Sequence, residues 1–192
     1  MNATPPPLPL PLVKLEPLAH RHAEVLAQAA REVASHTETA KRLWWARPDY
    51  DLNAAHQFIA SVLTDRRTGQ GDAFAVLDAA GTLLGCVSAK NIDWLHGCFQ
   101  GGYWLVPSAR GKGFGQASLK ELFAWAQDQD LVRMELLIGV ANEKSLAAAE
   151  RIGGVREGLL RSRFIFNGMR TDVVVMAVVS DIALAAAESL RG

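Results

Sequence analysis

An α+β domain of about seven strands is the fold class this sequence predicts. Three observations carry the prediction. Short-period apolar runs and helix-period stretches follow one another in the order β-α-α-β-β-β-α-β-α-β-β. Between Ala73 and Val106 three extended apolar runs are separated only by short turns. Near the end, two long strand-like runs meet at Asn167-Gly168, a pair suited to a type I′ hairpin turn. The chain has 192 residues, 49% of them hydrophobic, which suits one domain with a substantial core.

Taken in order, residues 11–18 alternate enough for a first strand. His20 to Val33 and Leu52 to Arg67 read as helices, with Lys41-Arg42-Leu43-Trp44-Trp45 between them. Gly69 to Asp72 is a turn, Ala73 to Leu77 a strand, and Asp78 to Gly81 the next turn. Leu83 to Ile92 and Gly97 to Val106 are two more strands, and Pro107 stops the second. Gln116 to Asp128 is patterned as a helix whose Leu119, Leu122, Phe123 and Ala126 form an apolar stripe. Arg133 to Val140 is a strand with Met134, Leu136, Ile138 and Val140 on one face. An alanine-rich helix follows Asn142. Val155 to Phe166 and Met169 to Ser180 form the closing hairpin, and Ile182 to Leu190 is a short terminal helix.

The five prolines between Pro5 and Pro11 make a stiff arm over residues 1–9, ahead of a domain at 10–182 and a tail at 183–192. This start has neither the basic region nor the apolar core of a signal peptide, and no apolar run reaches the ~18 residues of a membrane helix. A cytoplasmic protein with no membrane partner is the expectation. Twenty basic and twenty acidic residues cancel. That balance argues against sequence-independent nucleic-acid binding, which needs a basic surface. Cys86 and Cys98, in strand-like runs far from any His-rich spacing, do not make a zinc site. They are expected as buried free thiols, with a disulfide as the lesser alternative, and no metal site is expected.

The most informative stretch is Arg110-Gly111-Lys112-Gly113-Phe114-Gly115, between a strand and a helix. A glycine-rich turn there aims backbone N–H groups, together with the positive end of the helix dipole, at one anion. It is not a P-loop, because Lys112 is followed by Gly113 rather than a hydroxyl residue. Nor does its every-second-residue glycine spacing match a dinucleotide fingerprint. The hexapeptide alone fits equally a glycine-rich helix start that binds nothing, with Arg110 and Lys112 solvated.

Its order, Arg-x-x-Gly-x-Gly, resembles the coenzyme A loop of the GCN5-related N-acetyltransferases. Asn142, Ser145, Gly153 and Glu157-Gly158 resemble a downstream block of the ribosomal-protein (RimJ/RimL-like) branch. So do Gly102-Tyr103-Trp104-Leu105 and Phe164-Ile165-Phe166-Asn167-Gly168-Met169-Arg170-Thr171-Asp172. The resemblance runs from about residue 10 to 182. It implies the acetyltransferase (GNAT) fold: a mixed, mostly antiparallel sheet with helices on both faces and a splayed central strand pair. It also implies transfer of an acetyl group from acetyl-CoA to a primary amine. The acceptor is then a protein N-terminus or a small amine, by direct attack in a ternary complex.

Two departures stand out. Gly154 replaces the phenylalanine usual after the helix-end glycine. Ala149 stands where many family members carry a tyrosine that protonates the leaving thiolate. The second keeps open a non-catalytic acyl-CoA-binding sensor. An antibiotic-modifying enzyme is the third reading. Its acceptor pocket should be acidic, yet Thr37 to Asp51 mixes Glu38, Asp49 and Asp51 with Lys41, Arg42 and Arg47.

The resemblance assigns coenzyme A contacts to Arg110, Gly111, Lys112, Gly113, Phe114, Gly115, Asn142 and Ser145, and to Leu105 and Val106 through a bulge that splays the strand. Gly113 and Gly115 let the backbone approach a pyrophosphate, while Arg110 and Lys112 add charge-assisted contacts. Ser145 is the candidate acid for the departing sulfur, or a hydroxyl in a first helical turn capped by Asn142. Glu135 is the candidate base, or an ion-paired strand carboxylate. His36, Glu38 and His96 are further candidates. Trp44, Trp45 and Tyr103 are candidate acceptor-pocket residues. The two apolar C-terminal strands suggest a homodimer interface.

Overall fold

The computed structural model describes residues 9–36, 43, 45–166, 168–181, 183, 185 and 189. Its frame is one seven-stranded sheet in the order β1-β2-β3-β4-β5-β7-β6. The strands are β1 (Lys14–Pro17), β2 (Gly71–Leu77), β3 (Leu83–Asp93), β4 (Cys98–Leu105), β5 (Arg133–Gly139), β6 (Val155–Phe166) and β7 (Met169–Val179). All neighbours are antiparallel except β4 and β5, which are parallel. The helices are α1 (Ala23–Ser35), α2 (Leu52–Thr68), α3 (Phe114–Gln127) and α4 (Glu143–Arg151). Residues 1–8 of the expected arm over 1–9, Asn167 and most of the expected terminal helix lie outside the described residues.

Each boundary has a local cause. Asp51 caps α2 by accepting from the Ala54 N–H at 2.8 Å, and Gly69 ends the helix in the left-handed region at φ 71°. The first strand is shorter than the alternating run suggested: only residues 14–17 pair with β2. Helix α3 begins at Phe114, two residues inside the expected loop, because Gly113 at φ 84° forms its N-cap.

Two cores lie on opposite faces. Helices α3 and α4 cover one face through Leu119, Leu122, Ala126, Leu146 and Ala149, packed on Val87, Phe99, Met134, Leu136 and Met176. Helices α1 and α2 cover the other through Leu26, Ala30, Ile59 and Val62, packed on Ala73, Ala75 and Cys86. Strand β6 is an edge, exposed along most of its length.

The central pair splays. Strands β4 and β5 pair from Cys98↔Arg133 to Gly101↔Leu136, and their pairing stops there. The expected bulge at Leu105 and Val106 is not what causes it. The β3–β4 register runs unbroken from Gly85↔Leu105 to Lys90↔Gln100, and β4 simply follows β3 away from β5. Gly101, the last paired residue, has no room for a side chain: a Cβ would sit 2.6 Å from Met134 Sδ. The departure at Gly154 also has a local reason, since a Cβ there would come 2.7 Å from the Ala149 carbonyl oxygen.

Candidate active site

The splay opens a gap between strands whose backbone groups would otherwise pair. The Val106 N–H donates to the Leu84 carbonyl at 2.9 Å. Antiparallel alternation from that pair directs Gly102 and Trp104 toward β3, and Tyr103 and Leu105 toward β5. Beyond Gly101, β5 no longer answers them. One of these groups is taken by a side chain. Arg110 donates from Nε at 3.0 Å and from Nη2 at 2.6 Å to the Leu105 carbonyl. Burial of that guanidinium lowers its pKa from the ordinary value. Arg110 therefore clamps the end of β4 rather than extending into solvent toward a phosphate. Leu105 and Val106 are core residues, 6% and 5% exposed.

The rest of the loop is shaped by its glycines. Gly111 and Gly113 adopt φ 73° and 84°, a region side-chain-bearing residues enter at a cost. No side chain caps α3, so its first-turn N–H groups are presented at the loop. Lys112 is exposed beside them. Gly115 has a different duty: a Cβ there would lie 2.6 Å from Cε2 and 3.0 Å from the hydroxyl of Tyr103. The Tyr103 ring is thus seated against the start of α3 and lines both of the clefts described below.

Asn142 forms the N-cap of α4, its Oδ1 accepting from the Ser145 N–H at 3.4 Å. The pair lines a cleft of about 420 Å³ with Tyr103, Leu119, Gly139 and Phe166, among others. Ala149 lies deeper, fully buried in the core. A second cleft of about 730 Å³ lies under α2, lined by Tyr50, Phe58, Ser88, Lys90, Gln100 and Trp104, among others. The two share Leu43, Trp45, Gly101, Gly102, Tyr103, Leu137 and Phe164. They meet at the splay, so ligands entering from opposite faces would touch there. Trp45 packs at this junction, its ring 5.0 Å from Trp104 and 6.1 Å from Tyr50. Trp44 lies outside the described residues, as does Glu38.

The other acid–base candidates are engaged elsewhere. Glu135 lines neither cleft; its Oε1 accepts from Arg133 at 2.9 Å, and Arg133 also holds Glu157 at 2.9 Å. The ion-paired reading of Glu135 therefore replaces its role as base. His96 is exposed and pairs with Asp93 at 2.9 Å, away from both clefts. His36 is exposed at the end of α1. Cys86 is buried, and burial pushes its thiol up to about 12; Cys98 is only partly buried, and both are free. Among the described residues no cluster of His, Cys, Asp or Glu could hold a metal ion, and no helix is long and apolar enough to cross a membrane.

Leu137, Phe164 and the Gly101-Gly102 pair were not singled out for the site by sequence. The adjacent glycines inside a strand were the available signal, since such residues mark close backbone approach. Leu137 and Phe164 gave none, because an apolar residue on a strand reads as core.

Residues 13–155 match the family model described as acetyltransferase (GNAT) domain. YdaF of Bacillus subtilis (strain 168), named as a ribosomal N-acetyltransferase, is 35% identical over 100 residues, 52% of this chain and 55% of that protein. The spermidine N(1)-acetyltransferase of Vibrio cholerae serotype O1 (strain ATCC 39315 / El Tor Inaba N16961) is 29% identical over 55% of this chain and 62% of its own length. The chain thus aligns with less than two thirds of either relative. The structure of RimL, a ribosomal L7/L12 alpha-N-protein acetyltransferase in complex with coenzyme A, superposes with a TM-score of 0.80 at 22% identity. That match covers 88% of this chain and 94% of RimL and bears on the fold. With a matching family model over most of its length and the splayed sheet that the sequence led us to expect, the chain belongs to the GNAT acetyltransferase family.

Proposed function

We propose that the protein is an acetyl-CoA-dependent N-acetyltransferase that moves an acetyl group to a primary amine, with a protein N-terminus as the favoured acceptor. The carrying observation is that two clefts, one behind each face of the sheet, meet at the splay. A donor in the first cleft and an acceptor in the second can form a ternary complex with no covalent enzyme intermediate.

The residues fit a phosphorylated thioester donor. Positive φ at Gly111 and Gly113 and the uncapped start of α3 suit a pyrophosphate. Lys112 adds charge there, and the Phe114 and Gly115 N–H groups belong to that first turn. The donor supplies the activated acetyl group. Backbone groups of Tyr103 and Leu105 face the gap where its carbonyl would lie, positions able to orient it. Ser145, on the cleft wall, is the chain's candidate to hydrogen-bond or protonate the departing sulfur. The amine must attack as the neutral species, and the apolar junction of Leu43, Trp45, Leu137 and Phe164 disfavours its charged form.

CoA release by the purified protein, followed across a panel of small amines and peptides, tests this reading. Turnover with at least one amine is expected. Acetyl-CoA binding with silence on every acceptor would favour the non-catalytic sensor, for which the absence of a tyrosine at Ala149 speaks. We further read the protein as cytoplasmic, consistent with its two free thiols. We read it also as a homodimer, consistent with the exposed apolar residues Val155, Leu159 and Ile165 of β6.

A further inference from the structure

The charges at the mouth of the acceptor cleft are unevenly neutralised. Among the described residues five charged side chains line it: Arg47, Asp65, Asp72, Lys90 and Arg163. Asp72 is already occupied, accepting from Arg66 Nε at 2.9 Å and Nη2 at 2.6 Å. Its negative charge is cancelled in place. Arg47 makes only a loose pair with Asp49, at 3.5 Å, with both side chains mostly exposed. Lys90 has no ion-pair partner among the described residues. Neither does Arg163, whose guanidinium lies 5.8 Å from the Phe164 ring centroid. Of the described carboxylates lining the cleft, Asp65 alone has no arginine partner.

The placement of Lys90 is built into the strand. Cys86, Ser88 and Lys90 alternate onto the cleft face of β3, and Gln100 pairs beside Lys90 on β4. The row runs from a buried thiol through a hydroxyl to an exposed ammonium. Arg163 rises on the opposite side, next to the Phe164 shared by both clefts. An acceptor whose amine sits at the junction therefore shares this cleft with two cations that have no ion-pair partner among the described residues. In a chain of zero net formal charge this is a local departure.

Building on the acetyltransferase reading above, we propose that Lys90 and Arg163 select acceptors whose chain beyond the amine is anionic, an acidic peptide amino terminus, and exclude polyamines. A polyamine brings further ammonium groups to this mouth, where, among the described residues, Asp65 is the one lining carboxylate without an arginine partner. An acidic peptide instead places carboxylates beside Lys90 and Arg163. The selection acts on encounter and KM, and is screened by salt.

The experiment compares three acceptors: spermidine, and two peptides with the same first two residues followed by either acidic or basic residues. kcat/KM is measured at low and high salt. The wild-type protein should prefer the acidic peptide by roughly tenfold or more at low salt, with the gap narrowing at high salt. Lys90→Glu/Arg163→Glu should abolish or invert that order. Acetyl-CoA titration of the variant confirms that it is folded. Equal rates for the two peptides, a preference for spermidine, or an order unmoved by the double reversal would each overturn the proposal while leaving the acetyltransferase reading in place. Binding of acetyl-CoA with no turnover of any amine would instead overturn that reading, and the selection with it.

Discussion

Gly113 holds φ 84° at the point where the loop becomes α3, and a Cβ there would come 3.0 Å from Cδ of Pro11. Both constraints act against any side chain. Gly113→Ala is expected to cost about 1–2 kcal/mol in stability, read from urea unfolding, and to weaken acetyl-CoA binding by calorimetry. Unchanged affinity would detach this residue from the donor. Ser145 makes the opposite kind of prediction. Its N–H serves the Asn142 cap, which alanine keeps. Ser145→Ala should therefore leave acetyl-CoA affinity nearly intact while kcat falls by roughly tenfold to a hundredfold. An unchanged kcat would remove Ser145 from the mechanism. At this scale the sequence was readable in part where backbone geometry dictates the residue, and it passed over Gly101. Gly113 was expected to take an unusual backbone conformation and does, whereas Gly115, expected beside it, is helical and Gly111 takes the second positive φ. The contacts of Arg110 and Tyr103 were not readable, because where a long side chain turns depends on a neighbour outside its own segment: the orphaned Leu105 carbonyl for one, the notch left by Gly115 for the other.

The elements were largely legible because their periods are clean. Strand β5 buries Met134, Leu136 and Ile138 as its alternation required but ends before Val140, which is exposed, and α3 buries Leu119, Leu122 and Ala126 with Phe123 half-buried. What alternation cannot supply is the neighbour across the sheet. Arg133 and Glu135 are visible as the outer face of β5, but Glu157 reaches Arg133 only through the β5–β7–β6 order. That contact has a pH signature. The Arg133 hydrogen bond holds the Glu157 carboxyl below its ordinary value of 4.5. A lowered carboxylate pKa contributes stability that is present above the unfolded value and is lost as pH falls through the folded one. Because the pair is partly exposed, its worth is about 1 kcal/mol or less. Glu157→Gln should lower the urea midpoint slightly at pH 7, and the difference from wild type should shrink as pH falls below 4.5 and vanish once the carboxyl is protonated in the folded protein. A difference that persists in acid would assign the effect to packing instead.

For the whole molecule, the sheet order explains both the site and an exposed edge. Parallel pairing of β4 with β5, limited to four residue pairs, leaves a gap where the two clefts meet. The order of elements was legible in the sequence. The place where pairing stops was not, because the β3–β4 register that draws β4 away is a long-range property. At the far side, β6 ends the sheet with Val155 64%, Leu159 54% and Ile165 58% exposed. An edge of this length and apolarity is a pairing hazard unless covered. Light scattering on the eluting protein should give twice the 20.8 kDa chain mass, and Leu159→Lys should shift it toward one. A monomer at every concentration tested would leave the edge to another purpose.

The proposed activity rests on placing the donor's pyrophosphate against the N–H groups that open α3. A crystal structure of the protein grown with acetyl-CoA tests it directly. Phosphate oxygens should lie within hydrogen-bond distance of N–H groups between Gly111 and Gln116, with the thioester pointing to the gap beside Tyr103. A donor bound elsewhere, or a loop corner filled by the chain's own side chains, would contradict it.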